Sequence, residues 1–237
     1  MNTGFYKDLD TNFELACKMS EQNFSHEELI ALLKNGNIPE KQIAALKLTK
    51  LQNINEASIL LKNLVGCDGK IREAVANKIK FLLNNNDKYV KFFTMQEFNP
   101  FADATIDING NICRSVIDSV EILKSNETFA NKYLTTILSF IDQTFKELDK
   151  FIFRDKKYVI NKQLFKLYWC LEALKLFAND LPVEKLYKIL ERASLEKEYT
   201  IREKVAQLIT LVDNDKFTPI KEKLLKDKNY YVREALK

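Results

Sequence analysis

Apolar positions along this chain recur at helical spacing. Ala57, Leu60, Leu61 and Leu64 fall at i, i+3, i+4 and i+7, as do Val183, Leu186, Tyr187 and Leu190. Ile201, Val205, Leu208 and Val212 form a further stripe. Each stripe predicts a helix that buries one face against its neighbours. Polar punctuation separates the stripes. Ser25-His26-Glu27-Glu28 is a capping box, in which a hydroxyl and a carboxylate satisfy orphan backbone donors. Pro39 and Pro182 suit a first helical turn, where a missing N–H costs nothing. Asn35-Gly36-Asn37 and Gly66-Cys67-Asp68-Gly69 read as helix-ending turns.

These marks predict a lead-in helix near 5–20 and then six helix pairs. The pairs fall near 26–34 and 40–52, 55–65 and 70–83, and 87–97 and 111–124. They continue near 128–150 and 156–178, 183–193 and 199–212, and 216–226 and 230–237. With 237 residues, 5 Gly and 4 Pro, the chain is long enough for a sizeable core and too poor in turn residues for many short strands. The class is all-α.

A basic residue follows an aliphatic one near the start of most second helices. The segments are Lys70-Ile71-Arg72-Glu73-Ala74, Ile112-Cys113-Arg114, Thr200-Ile201-Arg202-Glu203 and Tyr231-Val232-Arg233-Glu234. Alignment on that position gives Lys41, Arg72, Arg114, Asn161, Arg202 and Arg233, spaced too unevenly for an ankyrin or tetratricopeptide array. Asp227-Lys228-Asn229-Tyr230-Tyr231-Val232-Arg233-Glu234-Ala235-Leu236 resembles the turn and second-helix start of a HEAT repeat, and Asp68-Gly69-Lys70-Ile71-Arg72-Glu73-Ala74 is similar. The likeness covers most of residues 24–237. It implies one right-handed α-solenoid over 1–237, with residues 1–23 as the N-terminal helix. It also implies second helices on a concave face and an acidic-turn-to-arginine ladder between neighbouring repeats. It implies no chemistry, because repeat arrays serve unrelated roles. Asn161 departs from the pattern, so the long fourth pair is expected to be distorted.

Charge sharpens the functional expectation. The net charge is +4, and basic residues concentrate on the second helices, led by Lys70, Arg72, Lys78, Lys156, Lys157, Lys162 and Lys166. Asp118, Glu121 and Glu172 interrupt that field. Such a ridge attracts anions. The expected function is therefore a non-catalytic scaffold or adaptor that binds a protein partner's acidic segment. Arg72, Arg114, Lys162, Lys166, Arg202 and Arg233 are the candidate contacts, through charge-assisted hydrogen bonds. The alternative is nucleic-acid binding, with HEAT-like alkylpurine DNA glycosylases as the comparison. Trp169 is the one tryptophan available for such a groove, and its spacing from Phe165 and Ala173 predicts a core position instead. Few aromatics are expected at the surface, which argues against single-strand recognition.

Catalytic chemistry has little to build on. His26 is the only histidine, expected to be exposed in a capped first turn. Thr105-Ile106-Asp107-Ile108-Asn109-Gly110-Asn111-Ile112 brushes a calcium-loop pattern, yet lacks its first acid and carries Val116 at the bidentate position. It reads as a turn. No cofactor or metal site is expected, and the chain is not read as an enzyme. Phe98 and Phe101 are expected to pack beneath the 98–104 loop. Cys17, Cys67, Cys113 and Cys170 lack close pairing and read as small buried hydrophobes of a reducing, cytoplasmic compartment. No stretch approaches a membrane span or a secretory leader. Tyr230, Val232 and Leu236 form a candidate apolar edge for a continuation of the array, a partner or self-association with another copy.

Overall fold

The computed structural model describes residues 3–96, 99–150, 157–212 and 214–237, with side chains described from residue 11 onward and, after 150, from residue 160. Every regular element among the described residues is helical, so the all-α class holds. No described helix is long and apolar enough to cross a membrane. The chain divides into two compact units, Met1–Ala130 and Asn131–Lys237.

The first unit opens with α1 (Thr3–Glu21), α2 (His26–Asn35), α3 (Ile38–Lys47) and α4 (Ile54–Lys62). It continues with α5 (Gly69–Asn85), α6 (Lys88–Thr94), α7 (Phe101–Thr105) and α8 (Gly110–Leu123). Helix α3 packs between α1 and α5, and α5 packs on α8, while α2, α4 and α6 adjoin one another in order. The stripe of Ala57, Leu60, Leu61 and Leu64 is buried throughout, with Leu33, Ala44, Val75, Leu82 and Ile112. Each buried Leu, Ile or Val among them contributes about 1.5–3 kcal/mol relative to exposure.

Local chemistry sets the ends. Ser25 Oγ accepts from Glu28 N (3.2 Å) and the Glu28 carboxylate accepts from Ser25 N (2.7 Å). A second capping box, Asn37 with Glu40, opens α3 and places Pro39 in its first turn. Gly66 takes the left-handed conformation (φ 71°) in the turn after α4, where only a residue without Cβ is unstrained.

Helices α4, α6 and α14 each end about three residues short of expectation, at Lys62, Thr94 and Glu234, and two larger differences have tertiary causes. Helix α3 stops at Lys47 although Leu48 and Leu51 continue the apolar spacing and are fully buried. The chain leaves the helix because the freed Leu51 N–H finds the Tyr89 hydroxyl at 3.2 Å. The segment expected as a 98–104 loop is helical from Phe101, the start of α7, and Phe101 is buried edge-on to Phe93 and Phe129, at 6.3 and 5.7 Å between centroids. Phe98 lies outside the described residues.

The second unit holds most of α9 (Glu127–Asp149), α10 (Lys157–Leu174), α11 (Val183–Ala193), α12 (Tyr199–Leu211), α13 (Thr218–Leu225) and α14 (Tyr230–Glu234). Helix α12 is central, packing on α10, α11, α13 and α14. Ile201, Val205 and Leu208 are buried, as are Leu186 and Leu190, whereas Val183 and Tyr187 sit at the margin of their stripe. Trp169 is buried, edge-on to Phe165 and Tyr168.

Candidate binding face of the second helices

Helix starts place the basic positions in one register. Asn37, Asp68, Asn109, Glu198 and Asn229 are the N-cap residues of α3, α5, α8, α12 and α14. The fourth residue after each is Lys41, Arg72, Cys113, Arg202 and Arg233. Arg114 is therefore one residue out of register, a rotation of about 100° around the helix. The sequence alignment misplaced it because a cysteine occupies the position that arginine holds elsewhere.

The side chains in register turn inward. Arg72 donates from Nε to Asp107 Oδ2 (2.7 Å) and from Nη2 to Oδ1 (3.1 Å), while Nη1 reaches the Cys67 carbonyl. Arg202 repeats this with Asp227, at 2.6 and 3.1 Å, and its Nη1 donates to the Glu196 and Lys197 carbonyls, both at 2.8 Å. In each case the guanidinium closes its own turn and holds the aspartate two residues before the next second-helix N-cap. Cys113 keeps only half of this clamp, its thiol donating to the Asp107 carbonyl at 3.1 Å. Burial, together with the Asp107 carboxylate, pushes that thiol up to about 12. Lys41, facing a turn without such an acid, donates to Asn63 Oδ1 at 3.1 Å.

Hydrogen bonding to Asp107 raises the Arg72 guanidinium above its ordinary value, against the effect of burial. Hydrogen bonding to Arg202 likewise holds the Asp227 carboxyl below the usual range. Bidentate pairing in a poorly solvated turn favours both charged forms. Arg72 and Arg202, expected as partner contacts, thus spend their guanidiniums on aspartates of the fold. Arg233 donates from Nη1 to the Asp227 carbonyl at 2.5 Å and stays half-exposed.

Acids that interrupt the basic ridge are paired too. Lys80 meets Asp118 at 2.6 Å between α5 and α8. Glu73 accepts from Asn109 (3.0 Å) and Asn111 (2.9 Å), and Ser115 donates to Asn77 at 2.7 Å. Between α10 and α12, Glu172 meets Lys204 at 2.6 Å and Lys175 at 3.0 Å, with the Lys204 ammonium 4.7 Å from the Tyr168 ring centroid. Burial alone would raise Glu172, but the two ammoniums bring it below its ordinary value. Lys204 stays above its ordinary value for the converse reason, burial being outweighed by its bond to Glu172. Sequence reading missed Lys204, although its place between Ile201 and Leu208 on the apolar stripe signals burial.

What faces outward is a smaller set. Lys70, Arg114 and Lys162 are exposed and Lys166 is half-buried, without a hydrogen-bond or ion-pair side-chain partner among the described residues. Lys78 is half-buried with its ammonium 4.7 Å from the Phe81 ring centroid, and burial pushes it down. Lys156 and the Lys157 side chain lie outside the described residues. The structure places Arg114 in the first unit, and Lys162 and Lys166 one turn apart on α10 in the second.

His26, Asp107 and Asn109 are each engaged by neighbouring groups. His26 is only 15% exposed, not solvent-facing as expected, because α2 packs on α4 and brings Nε2 to 3.0 Å from Glu56 Oε2. The oxygens of Asp107 and Asn109 are used by Arg72 and by the α8 cap. No group of metal-ligating side chains occurs among the described residues. Cys113 and Cys170 are buried as expected, whereas Cys67 is half-buried and Cys17 is exposed on α1. An open groove of 430 Å³ runs between α6, at Asp87 and Lys91, and the Ser125–Asn126 turn. Its charged lining is an acid and a base one turn apart on the same helix.

No protein-family model matches the chain, and no curated protein does. Among solved structures, the crystal structure of an engineered protein is similar at a TM-score of 0.44 and 12% identity, covering 90% of this chain and 94% of that one. A likeness at that level carries no weight for fold family or function.

Proposed function

We propose that the chain is a HEAT-like stack of helix pairs, a right-handed α-solenoid, that serves as a non-catalytic scaffold in the cytoplasm and holds an acidic segment of a protein partner. One observation carries the reading. Arg72 and Arg202, in register near the starts of their helices, are consumed by the fold, while Arg114 in the first unit and Lys162 and Lys166 in the second have no hydrogen-bond or ion-pair partner among the described residues. The recurrent arginine–aspartate clamp, seen at Arg72 and again at Arg202, supports the repeat architecture. Exposed cations cost little to present and attract a flexible carboxylate-rich segment.

The test is a titration of the protein into a labelled Glu/Asp-rich peptide, followed by anisotropy at low and near-physiological salt. Binding is expected, and Arg114→Glu or Lys162→Glu/Lys166→Glu is expected to weaken it by about tenfold. Unchanged affinity in both variants sinks the reading. Duplex DNA run in parallel checks the alternative: tight binding with a steep salt slope, and none to the peptide, would make the face a nucleic-acid surface. Burial of Trp169 removes the one tryptophan available for a glycosylase-like groove.

A further inference from the structure

Of the candidate apolar edge at Tyr230, Val232 and Leu236, the last two side chains are buried within their unit. Exposed apolar residues recur instead on the second helices, at one fixed place. Counted from the N-caps Asp68, Asn109 and Glu198, the thirteenth residue is Phe81 on α5, Ile122 on α8 and Leu211 on α12. Phe81 and Leu211 are 49% and 47% exposed, and Ile122 is half-buried. The ninth residue lies about 40° away around the same helix face and is polar every time, as Asn77, Asp118 and Gln207. Exposed apolar side chains scattered singly need no cause, but one held at a fixed place in three helices marks a contact surface.

Charge beside Phe81 indicates what covers it. The Lys78 ammonium, one turn back on α5, is half-buried and lies 4.7 Å from the Phe81 ring centroid. Among the described residues no carboxylate pairs with it, and burial alone pushes it down. A half-buried cation without an anion, next to an exposed ring, is completed by a carboxylate adjacent to an apolar group.

Spacing adds a second requirement. Helices α5 and α8 pack side by side in the same direction, and the Asn77–Ser115 and Lys80–Asp118 contacts set their stagger. Ile122 is then three residues, about 4.5 Å, beyond the point level with Phe81. With axes about 8–10 Å apart, the two apolar positions are separated by about 9–11 Å. Unfolded segments populate the polyproline II form, with three residues per turn and a rise of about 3.1 Å. Side chains three residues apart then share one side, about 9.3 Å from each other, and span the two positions.

We infer that Phe81, Ile122 and Lys78 dock an acidic segment of a protein partner that carries two apolar side chains three residues apart and a carboxylate beside the one that reaches Phe81. The inference names the partner's sequence pattern and rests on the reading of the second-helix face as a site for an acidic segment.

The test uses the full chain and three fluorescein-labelled Glu/Asp-rich peptides of equal net charge. One lacks apolar residues, one has two leucines three residues apart, and one has two adjacent leucines. In anisotropy at near-physiological salt, the spaced-leucine peptide is expected to bind about tenfold more tightly than the leucine-free one, with the adjacent pair in between. Phe81→Gln is expected to bring the spaced-leucine peptide down to the leucine-free affinity, and Lys78→Gln to weaken it several-fold. Circular dichroism checks that each variant retains its helices. Equal affinity of the parent chain for the spaced-leucine peptide and either of the others overturns the inference. The Arg114 reading then stands if Arg114→Glu still weakens all three. A leucine advantage that survives Phe81→Gln overturns the inference as well, because the apolar contact lies elsewhere. No binding of any peptide overturns both.

Discussion

Removing the Asp227 carboxylate should unfold the second unit at markedly lower denaturant. Arg202 and Asp227 have side chains only 9% and 10% exposed, and they share two hydrogen bonds at 2.6 and 3.1 Å. Asp227→Ala leaves a buried guanidinium held only by backbone carbonyls, and it also removes the acceptor for Asn229 N at 2.8 Å. Breaking a buried pair from one side costs about 3 kcal/mol. With a urea slope of about 2 kcal/mol/M for a unit of this size, the midpoint should fall by about 1.5 M. Trp169 is the single tryptophan, buried within the same unit, so its fluorescence reports this transition. Replacing both partners by apolar residues, Arg202→Met with Asp227→Leu, should recover most of the loss because no charge is left stranded. A fall of less than about 0.3 M for Asp227→Ala, on the scale of an exposed pair, would refute the argument. The same refutation follows if the double variant is no better than the single one.

Other expectations follow from the same geometry. Asp227 is depressed in the folded state, so its stabilisation is fully present above the unfolded value of about 3.9 and is lost as pH falls through the lower folded value. Acid titration of Trp169 fluorescence should show this loss in the parent chain, and Asp227→Ala should lack that component. Lys80→Ala, which removes one side of a pair 41% and 39% exposed, should cost less than about 1 kcal/mol by urea melts followed by circular dichroism. Gly66→Ala should cost about 1 kcal/mol for its left-handed backbone, with open space around the new methyl. Gly36→Ala should cost more, since its Cβ would lie 2.5 Å from the Leu32 carbonyl and 2.8 Å from Glu40 Cβ; equal melting shifts would contradict this. In thiol titration, Cys17 should react at once, whereas Cys113 and Cys170 should react only on unfolding. Early labelling of Cys113 would show that its burial is wrong.

Much of the helical layout was legible because caps and stripes are local. Ser25 with Glu28, Pro39 and the Ala57–Leu64 stripe act within a few residues, and their helices start where that chemistry dictates. The end of α3 was not legible, because the group that satisfies Leu51 N–H is a hydroxyl from Tyr89, on another helix. The same reason hid the burial of His26, whose environment depends on Glu56 arriving from α4.

For the candidate face, the sequence by itself determined that cations cluster near the starts of second helices, because composition and spacing are written in the chain. Which of those cations are available was decided only in three dimensions. Arg72 and Arg202 look like Arg114 in sequence, yet a shift of one residue against the N-cap turns the first two onto aspartates and Arg114 toward solvent. A charge's availability depends on what lies across the turn from it, and those neighbours, Asp107 and Asp227, come from 35 and 25 residues further along the chain.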